Sequence, residues 1–459
     1  MLSLMADEDT VAGRLASWVS RLRFEDLPAE VVERTEQVIL DQLGVQVLGS
    51  TLPNIQPVRQ LAAAAPGAPE STVTGSDRKT TAAQAAYVNG TLGHSCEYDD
   101  AHATAWHTSS AVVPAALALA ERDGADGREL ITAVAAGIQV MGLLGAVTTS
   151  GMLATGWHGS KVLGVFGATA AAGRILRLSP AELTQAFGIV GSDASGTMEY
   201  DRSGGEVKRL HAGSAARAGT EAAQLARLGL TGPPTIFEGH RGVFGLFGGA
   251  EGADIPEAAW QHWQVLDTIF RFYPAVGTVH APLDAIRHLR EATPIDPQQI
   301  ARIRIGLVDF AVGHGAAITR PTDAISAQFS LAFGAGLQFV TGRNAPADYF
   351  DPNLWNDPAI LAIGDVIEPY AMPIPAGDPV FSARVDIELR DGSHLEHYQA
   401  GFRGHPTRPA TSADIERKFT ENVAGVLGGE TSAAIVETVA TLHEGNSVPS
   451  LTALLRRRP

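Results

Sequence analysis

The chain is short of cysteine, of positive charge and of familiar nucleotide or nucleophile signatures. Its 459 residues include one cysteine, Cys96, which excludes an intrachain disulfide and suits a reducing cytosol. Basic residues number 34 against 50 acidic ones, a net charge of −16. That balance argues against nucleic acid or an anionic membrane surface as partner. It leaves room for an anionic small substrate held by local cations. The acidic start MLSLMADEDT lacks the basic flank and apolar core of a signal peptide. The most membrane-like run, residues 131–147, is rich in Ala and Gly and carries Thr132 and Gln139. It is expected to be a buried core helix, and the chain a cytoplasmic protein with no membrane partner. The segment Gly156-Trp157-His158-Gly159-Ser160-Lys161 lacks the GxxxxGK[ST] spacing of a phosphate loop. Gly191–Gly196 is no nucleophile elbow, and the glycines of 242–249 keep no dinucleotide-binding register.

What is present is an apolar chain, 45% hydrophobic and 18% charged, long enough for two or three domains at about 150 residues each. Apolar residues recur at helical spacing through residues 31–43, 129–147, 161–178 and 214–228. Ser179-Pro180-Ala181-Glu182 reads as a capping box with proline in the first turn. The texture changes near Gln264. Ile303, Ile305 and Leu307 alternate with Arg302, Arg304 and Gly306, the period of a half-exposed strand. Val385, Ile387 and Leu389 alternate likewise, and Asp391-Gly392 suits a two-residue type I′ hairpin returning through 395–398. Helices are expected over 282–291 and, as one piece, over 323–340. Past Pro409 helical texture returns, starting at Thr411 or Ser412 and ending in the basic tail Arg456-Arg457-Arg458. The expected architecture is mainly α: a helical domain over 1–264 completed by 408–459, with an α+β lid over 265–407.

The chemistry concentrates in residues 94–107, which carry His94, Glu97, Asp99, Asp100, His102 and His107, followed by an almost purely aliphatic helix that Thr108 or Ser109 is expected to cap. Three further segments join titratable groups to glycine or aromatic residues: His158 to Lys161, Glu206 to His211, and Arg271 to Tyr273 with His280 beyond. Each sits before or at a predicted helix start, where free N–H groups favour a carboxylate. Asp99, Asp100, His102 and His107 offer donors for a metal, but no helical ligand spacing such as HExxH appears, so none is expected. His94 and His102 read as structural or exposed, Asp100 as a bonder of loop N–H groups, and Cys96 as a small buried residue.

HSCEYDD…H, GWHGSK, VKRLHAGSAARAG, TIFEG, FYPAVGTVHAPLDA, AQFSLAFGAG and GHPTRPATSADIERKF, in this order and spacing, resemble successive motifs of the MmgE/PrpD family. That family includes 2-methylcitrate dehydratase, cis-aconitate decarboxylase and iminodisuccinate epimerase. The resemblance implies a helical domain built from both chain ends, a smaller α+β lid, a homodimer, and a cofactor-independent site in the interdomain cleft. It places His107, His158 and Lys208 on the family's catalytic histidines and lysine, and Glu97, Asp99 and Asp100 on its acidic loop. Arg271 stands where a lysine is usual. Lys161, His211 and His280 join Arg271 and Asp100 as candidate substrate contacts. Ala101 replaces the usual Thr, Thr108 a proline, Gly159 a frequent proline, and Val276 a second histidine of tricarboxylate-processing members.

The implied chemistry is proton transfer next to a carboxylate. A histidine with pKa near ~6.5 can move that proton at neutral pH, and Lys208 and Arg271 would hold the anionic groups. His107 or His158 is the expected acid or base, with Glu97 and Asp99 orienting. The expected function is a lyase, dehydratase or decarboxylase, on a small di- or tricarboxylate. An epimerase that shuttles an α-proton and an inactive ligand-binding member are the alternatives.

Overall fold

The computed structural model describes residues 9–65, 67–200 and 204–457; the acidic start (1–8) and Arg458 of the basic tail lie outside them. Two compact units emerge. The first comprises residues 1–95, 99–268 and 411–459; the second comprises 96–98 and 269–410.

The first unit is helical, and its long helices come together because small residues let their backbones touch. The helices Ala82–Gly93 and Lys208–Arg227 cross at Gly90 and Gly213. A Cβ on Gly213 would lie 2.2 Å from the Tyr87 carbonyl, and one on Gly90 2.8 Å from the Gly213 Cα. The apolar run at 131–147 is the middle of a 29-residue helix, Gly127–Thr155, started by an Asp126–Glu129 capping box. Its most apolar window is 89% buried, as expected of a core helix. The capping box at Ser179 forms, opening the helix Pro180–Val190. The C-terminal helix Ser412–Leu427 packs on Ala29–Gly49, with Phe419 against Gly44. Buried Lys418 on the former meets buried Asp41 on the latter at 2.7 Å.

The second unit is α+β. Its four-stranded sheet runs Ile367–Ala371, Ile300–Leu307, Ala383–Leu389, His394–Gln399, with the first pair parallel and the others antiparallel. Ile303 and Ile305 are buried while Arg302 and Arg304 face outward, as their alternation dictates. The helix His280–Ala292 packs on the last two strands. Two local expectations fail. The hairpin after Leu389 is a three-residue loop, Arg390 to Gly392, because only Gly392 takes a positive φ (84°). A type I′ turn needs it at Asp391 as well, and Asp391 instead turns its carboxylate onto the Ser393 N–H. The helix over 323–340 is two helices, Ala324–Gln328 and Leu331–Val340. Ser330 interrupts them by accepting the Phe333 N–H at its hydroxyl, which starts a new N-terminus.

Candidate active site

Residues 94–108, of which 96–98 belong to the second unit, are flanked by two helices of the first unit, Ala82–Gly93 and Ser109–Asp123. His94 forms the C-terminal cap of the first, its N–H donating to the Gly90 carbonyl at 3.1 Å. Asp100, rather than Thr108 or Ser109, caps the second. Its carboxylate accepts the Thr108 and Ser109 N–H groups at 3.1 and 3.0 Å and lies 2.5 Å from both hydroxyls. A full negative charge at the positive helix end outcompetes a hydroxyl for those donors. Burial, and next the neighbouring Asp99 charge, still push the Asp100 pKa up.

Asp99 faces the histidines. Its Oδ2 accepts from His94 Nδ1 at 2.7 Å and from the Ser110 hydroxyl at 2.5 Å, while Oδ1 lies 3.6 Å from His107 Nδ1. His107 Nδ1 donates to the Asp100 carbonyl at 2.7 Å. A carbonyl oxygen only accepts, so the neutral ring carries its proton on Nδ1 and its lone pair on Nε2.

His158 arrives from the far end of Gly127–Thr155. Gly156 ends that helix in the left-handed conformation (φ 79°), and the His158 N–H donates to the Gly196 carbonyl at 2.8 Å. Its Nδ1 lies 2.9 Å from Nδ1 of His211, so one ring donates and the other accepts. His211 and Lys208 are three residues apart on the first turn of Lys208–Arg227, hence on one face. Burial, then the Lys208 charge, hold His158 well below the usual histidine range. Burial and the neighbouring His94, Lys161 and Lys208 bring His211 down to about 3. Lys161, itself buried and lowered by that burial, packs its stem beside Gly196. The centroids of His94, His107 and His158 lie 4.7 to 6.1 Å apart. Trp106, in a left-handed conformation (φ 65°), closes edge-on over His158 at 5.3 Å. Its ring explains Gly159: a Cβ there would sit 2.3 Å from the indole, so a proline cannot occupy this position beside Trp106.

Beneath the loop lies a buried acid. Burial raises the Asp41 pKa to about 6, against the pull of Lys418 and with the help of Asp100 and Asp99. Gln42 Oε1 lies 2.8 and 3.2 Å from the Ser109 and Ser110 hydroxyl oxygens.

The second unit gathers the remaining candidates. Arg271 and Glu97, both about 2% exposed, form an ion pair at 3.0 Å. The Ala275 carbonyl accepts from Arg271 at 3.4 Å and from His280 Nε2 at 3.0 Å. Glu97 itself has a left-handed backbone (φ 51°). Val276 is buried and bonds through its N–H to the Gln328 carbonyl at 2.9 Å. Its side chain is apolar where a proton carrier would stand in tricarboxylate-processing members.

Thus the first unit brings together His107, His158, Lys208, Asp99, Lys161, His211 and Asp100, and the second brings together Glu97, Arg271 and His280. His94 belongs with the first group, at its centre. The only signal for it in the sequence is its place at the head of HSCEYDD. Lys418 lies near the end of the last of the resembling motifs, and Asp41-Gln42 interrupts the apolar run from Val38 to Val45. His102 is buried and structural: its Nε2 donates to the Gln264 carbonyl, and its Nδ1 accepts the Thr104 and Ala105 N–H groups.

Comparison with known proteins agrees with this arrangement of segments. The profile of the MmgE/PrpD N-terminal domain matches residues 13–255 and that of the C-terminal domain residues 273–444. The chain belongs to the MmgE/PrpD family. It is 28% identical to the cis-aconitate decarboxylase-like protein oryM of Aspergillus oryzae, over 98% of each chain. It is 27% identical to the human cis-aconitate decarboxylase, over 97% of this chain and 95% of that one. Against the cis-aconitate decarboxylase of Aspergillus terreus it is 28% identical over 84% of each. These MmgE/PrpD relatives support an enzyme of the lyase kind.

Proposed function

We propose that this protein is a cofactor-independent decarboxylase of a small di- or tricarboxylate, with cis-aconitate, the acid named for its relatives, as the first candidate. The observation that carries the reading is the convergence of imidazoles and buried lysines around His107 and His158. Lys208 and Lys161 hold substrate carboxylates, and their charges stabilise the carbanion that forms when the carbon–carboxylate bond breaks and carbon dioxide leaves with neither electron of that bond. The electron pair stays on carbon, delocalised into the unsaturated acid, and a proton from an imidazolium completes the product; solvent restores that proton.

His107 suits the donor role. Asp99 Oδ1 lies 3.6 Å from its Nδ1, and the Asp100 carbonyl fixes the ring. His158, held neutral, accepts or orients. Arg271 contributes less than the resemblance implies, since Glu97 already answers its charge. Val276 supplies no proton, which favours a reaction with a single proton delivery over an elimination that needs both an acid and a base.

The test is incubation with cis-aconitate, 2-methylcitrate and iminodisuccinate in D₂O, followed by NMR. Carbon dioxide release with one deuterium in the product supports the reading. Deuterium exchange without loss of a group makes the protein an epimerase, and water loss makes it a dehydratase.

A further inference from the structure

His94 is the most unusual group in the first unit. Its Nδ1–H is committed to Asp99 at 2.7 Å, and its Nε2, wholly buried, has no hydrogen-bond partner among the described residues. A buried lone pair left unmatched forfeits the hydration it had in the unfolded chain. It faces not solvent but two other imidazoles: ligating nitrogens of His94, His107 and His158 all lie within 4.8 Å of one another.

We propose that His94, His107 and His158 form a binding site for a borderline divalent cation such as Zn²⁺. Each ring is already oriented by a second group, as metal-bound imidazoles are. Asp99, steadied by the Ser110 hydroxyl, holds His94; the Asp100 carbonyl holds His107; and His211 holds His158. With Nδ1 held by Asp99, Nε2 is the nitrogen that His94 has left to ligate. Three imidazoles and one open position are a usual set for Zn²⁺. Tetrahedral bonds of about 2.0–2.1 Å put ligating nitrogens about 3.4 Å apart, so the rings pivot inward on binding. The acids in contact with the cluster or just beneath it, Asp99, Asp100 and Asp41, offset the charges of Lys208, Lys161 and Lys418. Unlike the loop-acid site considered from the sequence, this one uses no carboxylate as a ligand; the acids sit behind the rings.

The site stands independently of the proposed function. On that reading a bound ion ties up the lone pairs that proton transfer needs, so it inhibits and is not a cofactor. The experiment strips the full-length protein with chelator and titrates Zn²⁺ against a chromophoric chelator, with Co²⁺ absorption reporting coordination number. One ion per chain with micromolar or tighter affinity is expected, together with the intense visible bands of four-coordinate Co²⁺. His94→Gln and His158→Gln should each weaken binding at least 30-fold, and Asp99→Asn about 10- to 100-fold. Thermal melts of each variant establish that it is folded. Absence of one-per-chain binding, or binding unchanged in His94→Gln, overturns the site. Turnover of cis-aconitate that requires the ion overturns its inhibitory character alone. No turnover by either form counts against the decarboxylase reading and leaves the site standing.

Discussion

The two polar clusters of this chain handle charge in opposite ways. In the first unit, histidines and lysines share a buried space, and burial holds His158 and His211 neutral. In the second, Arg271 and Glu97 pair at 3.0 Å and His280 Nε2 donates to the Ala275 carbonyl. Both clusters are built from motif residues, and both are buried. Reactivity is expected where a buried lone pair such as that of His94 Nε2 is unspent, and rigidity where an ion pair such as Arg271–Glu97 is closed.

The strongest way to break this contrast is at His107. His107→Ala should lower kcat about 10²- to 10⁴-fold with little change in melting temperature, read by steady-state turnover of the acid and by a thermal scan. A variant that turns over normally would move proton transfer elsewhere. The second unit should respond in the other currency, stability. Arg271→Met alone strands the Glu97 carboxylate and should cost about 3–5 kcal/mol in denaturant unfolding, whereas Arg271→Met with Glu97→Gln should cost clearly less. Equal losses in single and double variants would show that the pair is not the unit of stabilisation.

Acid sharpens the comparison. Folded His211 titrates at about 3, far below the unfolded value of ~6.5. Below pH 6.5 the unfolded chain therefore takes up a proton that folded His211 refuses. Its contribution to stability is complete above that pH and shrinks as pH falls toward 3, by on the order of a few kcal/mol. Asp41 works the other way: its raised value of about 6 makes its contribution largest in acid and lost as pH rises through that value. The informative quantity is thus the difference between wild type and His211→Asn, which should narrow from pH 7 to pH 4. A difference independent of pH would mean that His211 is not held neutral. The smallest expected effect belongs to Gly159→Ala. Its new methyl meets Trp106 and should cost about 1–3 kcal/mol, with activity falling more than stability because the indole also packs against His158.

Helices were legible from period and caps: Ser179-Pro180 marks a helix start to the residue, and the strand at 303–307 shows its two faces in the alternation of Ile and Arg. Local signals failed where a nearby polar atom outbid the expected one, as Ser330 does within 323–340 and Asp100 does at the helix start near Ser109. The site was legible only in part. His107, His158 and Lys208 stand out through the resemblance, but the centrality of His94 depends on how the loop folds over Asp99 and Ser110. The Asp41–Lys418 pair joins residues about four-fifths of the chain apart, and no spacing rule reaches that far.

That last pair has a consequence for how the protein is made. Asp41 sits in the second long helix, yet its counter-ion leaves the ribosome only after more than nine-tenths of the chain has been synthesised. Until then the floor under the histidine loop carries a buried carboxylate without its cation, so the helices around Asp41 should stay loosely packed until Lys418 arrives. Chains released before the Ser412–Leu427 helix should accumulate as soft, protease-sensitive species, however complete their N-terminal helices.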